Sequence, residues 1–86
     1  MFAAAQAGNV SAMTWLKDQG LGVNDRDEEG RTPMFLAAWW GDLPAMAWLK
    51  EQGADLNARD KQGQTPLSAA RNDKTKQWLR DNGAQE

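Results

Sequence analysis

This chain of 86 residues contains neither cysteine nor histidine. Without cysteine it can form no disulfide and no thiolate metal site. Without histidine it lacks the commonest transition-metal ligand and the commonest general base, so its two serines, Ser11 and Ser68, have no imidazole to activate them. These absences exclude much enzyme chemistry, and we expect no catalytic residue, no metal site and no cofactor.

The chain also lacks a large excess of one charge. Ten Lys and Arg residues stand against twelve Asp and Glu, which gives a formal net charge of −2. Since nucleic-acid binding requires a basic surface that releases counterions from the phosphates, we expect no nucleic-acid partner. The longest apolar runs, residues 34–40 and 43–49, are far shorter than the ~20 residues that span a bilayer. A soluble protein without a membrane partner is expected.

What the sequence does contain is a repeat of 33 residues. When residues 1–30 are aligned with residues 34–63, 16 of the 30 pairs are identical. A third copy begins at Asp60, keeps Thr65-Pro66 in register, and then loses three residues before Trp78-Leu79. A period of this length is typical of stacked supersecondary units, each of which buries one face only against a neighbour.

Each unit is predicted to contain two short helices and a loop. In the second unit Thr32 suits an N-cap, and Pro33 suits the first helical position, where its missing N–H costs nothing. We expect this helix to run to about Trp40 and to end at Gly41. Asp42 can then cap a second helix, which should end near Gly53. The polar segment that follows should form a turn between units.

These motifs resemble ankyrin repeats. The resemblance rests on Gly-Arg-Thr-Pro at residues 30–33, the paired alanines at 37–38, Gly-Asp at 41–42 and Gly-Ala-Asp-Leu-Asn-Ala at 53–58. It covers the whole chain and implies an all-α fold, a solenoid of stacked helix-turn-helix units with β-turn (finger) loops between them. Residues 1–86 would form a single domain with units at about 1–26, 27–59 and 60–86.

The chain departs from the family pattern at two places. The family usually has histidine where this chain has Phe35 and Ser68, so contacts between repeats are expected to depend more on apolar packing. The third unit has Thr75, Lys76 and Gln77 where the second has an apolar stretch. Such polar residues are expected on the outward side of a C-terminal cap. At the other end, the first unit starts within its first helix, which favours a segment preceding it.

The five tryptophans fall into two groups. Trp15, Trp48 and Trp78 recur at one place in the repeat, each followed by leucine, and are predicted to pack in the core. Trp39 and Trp40 do not recur. In the ankyrin family their positions, at the end of the first helix, lie on the concave surface and vary with the partner. We therefore predict that this pair is the centre of a partner-binding surface, because tryptophan is enriched at binding hot spots.

By the same resemblance the loop tips would supply the rest of that surface. The matching positions are Glu28, Glu29 and Arg31 in the second unit and Lys61, Gln62 and Gln64 in the third. The acidic run at residues 25–29 also raises the possibility of a calcium loop. Its spacing does not fit, because the twelfth position counted from Asp25 is Leu36 rather than glutamate.

Two functions are consistent with this sequence. The first is a protein-binding adaptor or inhibitor module that presents Trp39 and Trp40 and has no enzymatic activity. The alternative is a structural or self-associating element, such as a spacer or homodimer, in which the same pair contacts a second copy. A monomer or a weak homodimer is expected, and the prevalence of ankyrin repeats in intracellular settings favours a cytoplasmic location.

Overall fold

The computed structural model describes residues 2–85 apart from the side chains of Phe2 and Gln6, so the ends of the predicted domain, Met1 and Glu86, lie outside it. Over residues 2–85 the chain forms six helices and no β-strand. In chain order they are α1 (Phe2–Gln6), α2 (Val10–Asp18), α3 (Pro33–Trp40), α4 (Leu43–Glu51), α5 (Pro66–Ala69) and α6 (Asp73–Asp81).

The six helices form three consecutive antiparallel pairs. Within each pair the two helices contact each other, α3 lies between α1 and α5, and α2 packs beside α4. Two longer connections, the first loop (residues 19–32) and the second loop (residues 52–65), join one pair to the next. The predicted all-α solenoid of stacked helix-turn-helix units is confirmed. None of the helices within residues 2–85 has the length and apolarity needed to cross a membrane.

The ends of α3 and α4 follow the predicted capping pattern. The Thr32 hydroxyl and the Asp42 carboxylate each accept a hydrogen bond from the backbone N–H three residues ahead, at 3.3 and 3.1 Å. Gly41 separates the two helices with φ of 70°, a left-handed conformation that residues with a Cβ adopt at a cost. Helix α4 ends at Glu51, and Gly53 follows with φ of 88°.

The core lies between the helix pairs and is built from methionine, leucine and alanine. Met13, Met46, Leu49 and Leu79 are completely buried in the second helices of the three units. In α3 every residue from Pro33 to Ala38 is buried. The small alanines of α3 leave room for α1 and α5 to approach on either side, so this helix is enclosed by its neighbours.

The third unit differs from the second in both of its helices. Its first helix, α5, has four residues, and Ser68 and Thr65 cap it reciprocally: each backbone N–H donates to the other side chain, at 2.8 and 3.2 Å. In α6 the predicted outward polar stretch needs one correction. Thr75 is buried because it packs beneath Gly41, where its hydroxyl donates to Asn72 at 2.8 Å, whereas Lys76 is half-buried and Gln77 exposed.

Side-chain hydrogen bonds also connect successive units, which the sequence did not predict. The Asn24 side chain donates to the Gly53 carbonyl at 3.2 Å and accepts from the Asp55 N–H at 2.7 Å. One repeat later, Asn57 makes the corresponding two bonds to residues 83 and 85, at 3.4 and 2.7 Å. Recurring asparagines in the loops therefore connect successive units in addition to the apolar packing that the sequence predicted.

The three recurring tryptophans do not share one environment, contrary to the prediction that all pack in the core. Trp48 and Trp78 are half-buried against the core, but Trp15 is 60% exposed. The reason is the order of the stack. Trp78 lines a cleft together with residues of α4, the preceding second helix, whereas α2 has no preceding second helix among the described residues to cover Trp15.

Candidate partner-binding groove

A groove of about 330 Å³ lies between α3 and the two loops. Helix α3 provides one wall, and the loop residues that connect successive units provide the rest. Polar and apolar groups both line it, which is the usual composition of a site that binds and orients a ligand. The lining residues are Glu29, Arg31, Phe35, Leu36, Trp39, Trp40, Asp60, Gln62 and Gln64.

The two tryptophans of the groove stand at the carboxyl end of α3. The helix buries all its earlier residues, but Trp39 is 41% exposed and Trp40 is 54% exposed. The chain turns away at Gly41 immediately afterwards. Consequently, two indole rings remain beside the loops with a large part of their surface in contact with solvent.

The first loop forms one wall of the groove around Asp27. The Asp27 N–H donates to the Arg31 carbonyl at 2.9 Å, and Gly30 closes a tight turn onto the Asp27 carbonyl at 3.0 Å. The Asp27 carboxylate accepts from the backbone N–H groups of Glu29 and Arg31 and forms an ion pair with the Arg31 guanidinium at 2.9 Å. Arg31 is thus held in place by a carboxylate at the base of its own loop.

The same contacts determine the ionisation of Asp27. Burial acts to raise the pKa of its carboxyl group. The hydrogen bonds from Arg31 and Glu29, together with the positive charge of Arg31, outweigh that effect and lower the pKa below its ordinary value of 3.8. The carboxylate is therefore charged across the neutral range, and the turn keeps its ion pair there.

The second loop repeats this turn around Asp60. Its N–H donates to the Gln64 carbonyl at 2.9 Å, and its carboxylate accepts from the N–H groups of Gln62 and Gln64 at 2.9 and 2.8 Å. The Lys61 N–H donates to the Glu29 carbonyl at 2.9 Å, which joins the two loop tips. Arg26 also bridges the loops, donating to the carbonyls of Gly30 and Arg59.

Gly30 permits the loops to lie this close. Its φ is 78°, and a Cβ at this position would lie 3.1 Å from the Lys61 nitrogen and 3.3 Å from the Asp60 Cα. Both neighbours are backbone atoms that are fixed by the adjoining turn. A side chain here would therefore separate the walls of the groove.

A cation already lies over one of the indoles. The Arg71 guanidinium carbon is 5.1 Å from the centroid of the Trp39 ring, within the range of a cation–π interaction. Arg71 lies two residues beyond the end of the short α5, and α5 packs against α3, so the shortened first helix of the third unit places this side chain next to α3. The position of Trp39 is thus stabilised by a residue of the next unit.

The structure brings together six of the eight predicted site residues. Trp39, Trp40, Glu29, Arg31, Gln62 and Gln64 line the groove, whereas the side chains of Glu28 and Lys61 are exposed outside it. Sequence reasoning missed four participants, which are Phe35, Leu36 and Asp60 in the lining and Arg71 over Trp39. The recurrence of Asp27 as Asp60 was the one signal that could have identified any of them.

Within residues 2–85 no three His, Cys, Asp or Glu side chains are grouped so that they could hold a metal ion. Among the described side chains, which do not include that of Gln6, no buried nitrogen or oxygen lacks a hydrogen-bond partner. The polar atoms of the groove are therefore either paired within the loops or open to solvent.

A family model described as ankyrin repeats (3 copies) matches residues 1–85. No curated protein matches the chain.

Proposed function

The chain belongs to the ankyrin-repeat family, whose repeats generally serve as protein–protein interaction modules, and from this premise we propose that it binds a protein partner through the groove centred on Trp39 and Trp40. The finer role is that of an adaptor or inhibitor that presents this groove to its partner. Ankyrin repeats are typically non-catalytic, and the proposal includes no enzymatic activity.

The observation that carries the proposal is the exposure of two adjacent tryptophans beside a polar groove. An indole removes a large apolar area from water on binding and keeps one N–H donor for orientation. Such residues dominate the binding free energy of many interfaces when polar groups surround them. Trp39 and Trp40 provide the apolar centre here, and the loop residues provide a polar rim.

The fold supports this use of the groove because hydrogen bonds hold together the two loops that line it. The Lys61–Glu29 backbone bond and the two bonds of Arg26 join the loops. A preformed site loses less conformational entropy when a partner binds than a site that must be ordered first. The ordered loops thus favour recognition of a partner by a surface that is already in place.

Affinity capture from the source organism, with quantitative mass spectrometry, tests the proposal. The Trp39→Ala/Trp40→Ala variant should lose the partner that the wild-type chain retains. Trp15→Ala is a matched control, because Trp15 is at least as exposed but lies outside the groove. If the double variant keeps its helical circular dichroism and binds the purified partner with unchanged affinity, the proposal is wrong.

The alternative, self-association through the same tryptophan pair, has a separate test. Light scattering at several protein concentrations would show a dimer that the double substitution abolishes and Trp15→Ala does not. A dimer that is lost only with Trp15→Ala would assign self-association to the other exposed tryptophan. A monomer at every concentration would rule out self-association and favour a different protein as the partner.

A further inference from the structure

We propose that the ligand of this groove is a peptide segment bearing an arginine, whose guanidinium stacks on the exposed indoles and pairs with Glu29. This inference rests on the proposed function and specifies the chemistry of the partner.

The groove already holds a guanidinium from within the chain. Arg71 lies over the Trp39 ring with its Cζ atom 5.1 Å from the centroid. A guanidinium is planar and weakly hydrated, so it stacks on an indole with a smaller loss of hydration than an ammonium group. Arg71 shows that the surface around Trp39 admits such a group, and the more exposed Trp40 stands next to it.

The charged groups of the lining also favour a cation as ligand. The charged groups in the lining are Glu29, Asp60 and Arg31. Arg31 is neutralised by its ion pair with Asp27, and one oxygen of Asp60 already accepts two backbone hydrogen bonds. The lining with its ion pair therefore carries an excess of negative charge, and Glu29 is the carboxylate best placed to receive a cation. Arg71 over the Trp39 ring offsets part of this negative charge, and the side chain of Lys61 is exposed outside the lining.

These two features select arginine among the charged side chains. An acidic side chain would meet like charges at Glu29 and Asp60 and would gain nothing from the negative face of an indole. A lysine fits the charge but presents a compact ammonium that cannot stack in a plane. Arginine can stack through its face and still direct its N–H fork at a carboxylate.

The experiment begins with selection of phage-displayed random 12-residue peptides on the wild-type protein. We expect the enriched peptides to share an arginine, and replacement of that residue by the uncharged isostere citrulline to weaken binding of a synthetic peptide about tenfold. Binding is measured by fluorescence anisotropy of the labelled peptide. The Trp39→Ala/Trp40→Ala variant shows which peptides occupy the groove.

A matched pair of variants tests the role of the carboxylate. Glu29→Gln should weaken binding of the selected peptide about fivefold, whereas Glu28→Gln should change it by less than about twofold, because only Glu29 lines the groove. Both residues lie on the exposed tip of one loop, so neither change threatens the fold. Equal affinities of the two variants would overturn the inference.

The outcomes separate this inference from the proposed function. Peptides that need the tryptophan pair but share no arginine, or that bind equally well with citrulline, overturn the inference and leave the groove as a partner site. A selection in which no peptide depends on Trp39 and Trp40 counts against both. Arginine-dependent and tryptophan-dependent binding supports both.

Discussion

The first and third units carry the same Trp-Leu pair at equivalent places but surround it differently. Trp15-Leu16 in α2 is followed by lysine and Trp78-Leu79 in α6 by arginine, so the local sequences are close. Trp78 is half-buried in a cleft with residues of α4, and Leu79 is completely buried, whereas Trp15 is 60% exposed and Leu16 half-buried. The difference shows that burial in a repeat protein is set by the neighbouring unit rather than by the repeat itself.

The backbone N–H groups that follow the second helix of each unit also depend on the neighbouring unit. In the second and third units, a backbone N–H after the second helix donates to the side chain of an asparagine in the preceding unit, which is Asn24 or Asn57. In the first unit the corresponding N–H, that of Gly22, donates to the Asp25 carboxylate of the same loop at 3.0 Å. The first unit thus satisfies internally a group that the later units satisfy through a neighbour.

The largest effect is expected from the leucines of the Trp-Leu pair. Leu79→Ala should lower the free energy of unfolding by about 3 kcal/mol, and Leu16→Ala by about 1.5 kcal/mol, because only Leu79 is fully enclosed. Urea unfolding followed by circular dichroism measures both values. Equal losses would mean that the two ends are packed equally well.

The tryptophans give the sharper contrast. Trp78→Ala should cost about 2 kcal/mol, since it removes a half-buried indole that packs against the core. Trp15→Ala should cost less than about 0.5 kcal/mol, because most of its surface already contacts water. The same unfolding assay tests the pair. A cost of Trp15→Ala that matched that of Trp78→Ala would contradict the exposed position of Trp15.

These contrasts show how much of the fold the sequence could predict. The period, the Thr32 and Asp42 caps and the Gly41 break are local signals, and all were correct. The environments of Trp15 and Thr75 were predicted wrongly, because equivalence along the repeat says nothing about which neighbouring unit is present or how a side chain packs against it.

The candidate groove was predictable to a similar extent. Trp39 and Trp40 were identified because they break the repeat, and the loop positions were taken from the family resemblance. The contribution of Arg71 depends on where the shortened third unit directs a side chain, and the exclusion of Glu28 and Lys61 depends on the turn conformation. Neither property has a signature in residue order.

Smaller losses of stability are expected when a hydrogen bond of the first loop is removed, and a bond to the next unit should contribute more than a bond within the loop. Asn24→Ala removes two bonds to the next unit and should cost about 1.5 kcal/mol. Asp25→Ala removes one bond within an exposed loop, where water can replace it, and should cost about 0.5 kcal/mol. Thermal unfolding of the two variants measures the difference. A larger loss from Asp25→Ala would contradict this prediction, because the bond within the loop would then stabilise the fold more than the two bonds between units.

The smallest effect concerns the ion pair of the first loop. Because the pKa of Asp27 is lowered in the folded chain, its charged form stabilises the fold above pH 3.8, and this contribution is lost as the pH falls through the folded-state pKa. Asp27→Asn should cost about 0.5 kcal/mol at pH 7 and progressively less below pH 3.8. Urea unfolding at a series of pH values tests this. A wild-type to variant difference that stayed constant down to pH 2.5 would contradict it.

The bond between Lys61 and Glu29 has a mechanical consequence. The groove is walled by loops from two successive units, so its width follows the angle at which those units are stacked. A ligand that contacts both loops would therefore oppose a change in the angle between the two units. If the proposed partner binds this groove, a substitution that loosens the packing between the two units is expected to weaken binding even when it changes no residue that contacts the partner.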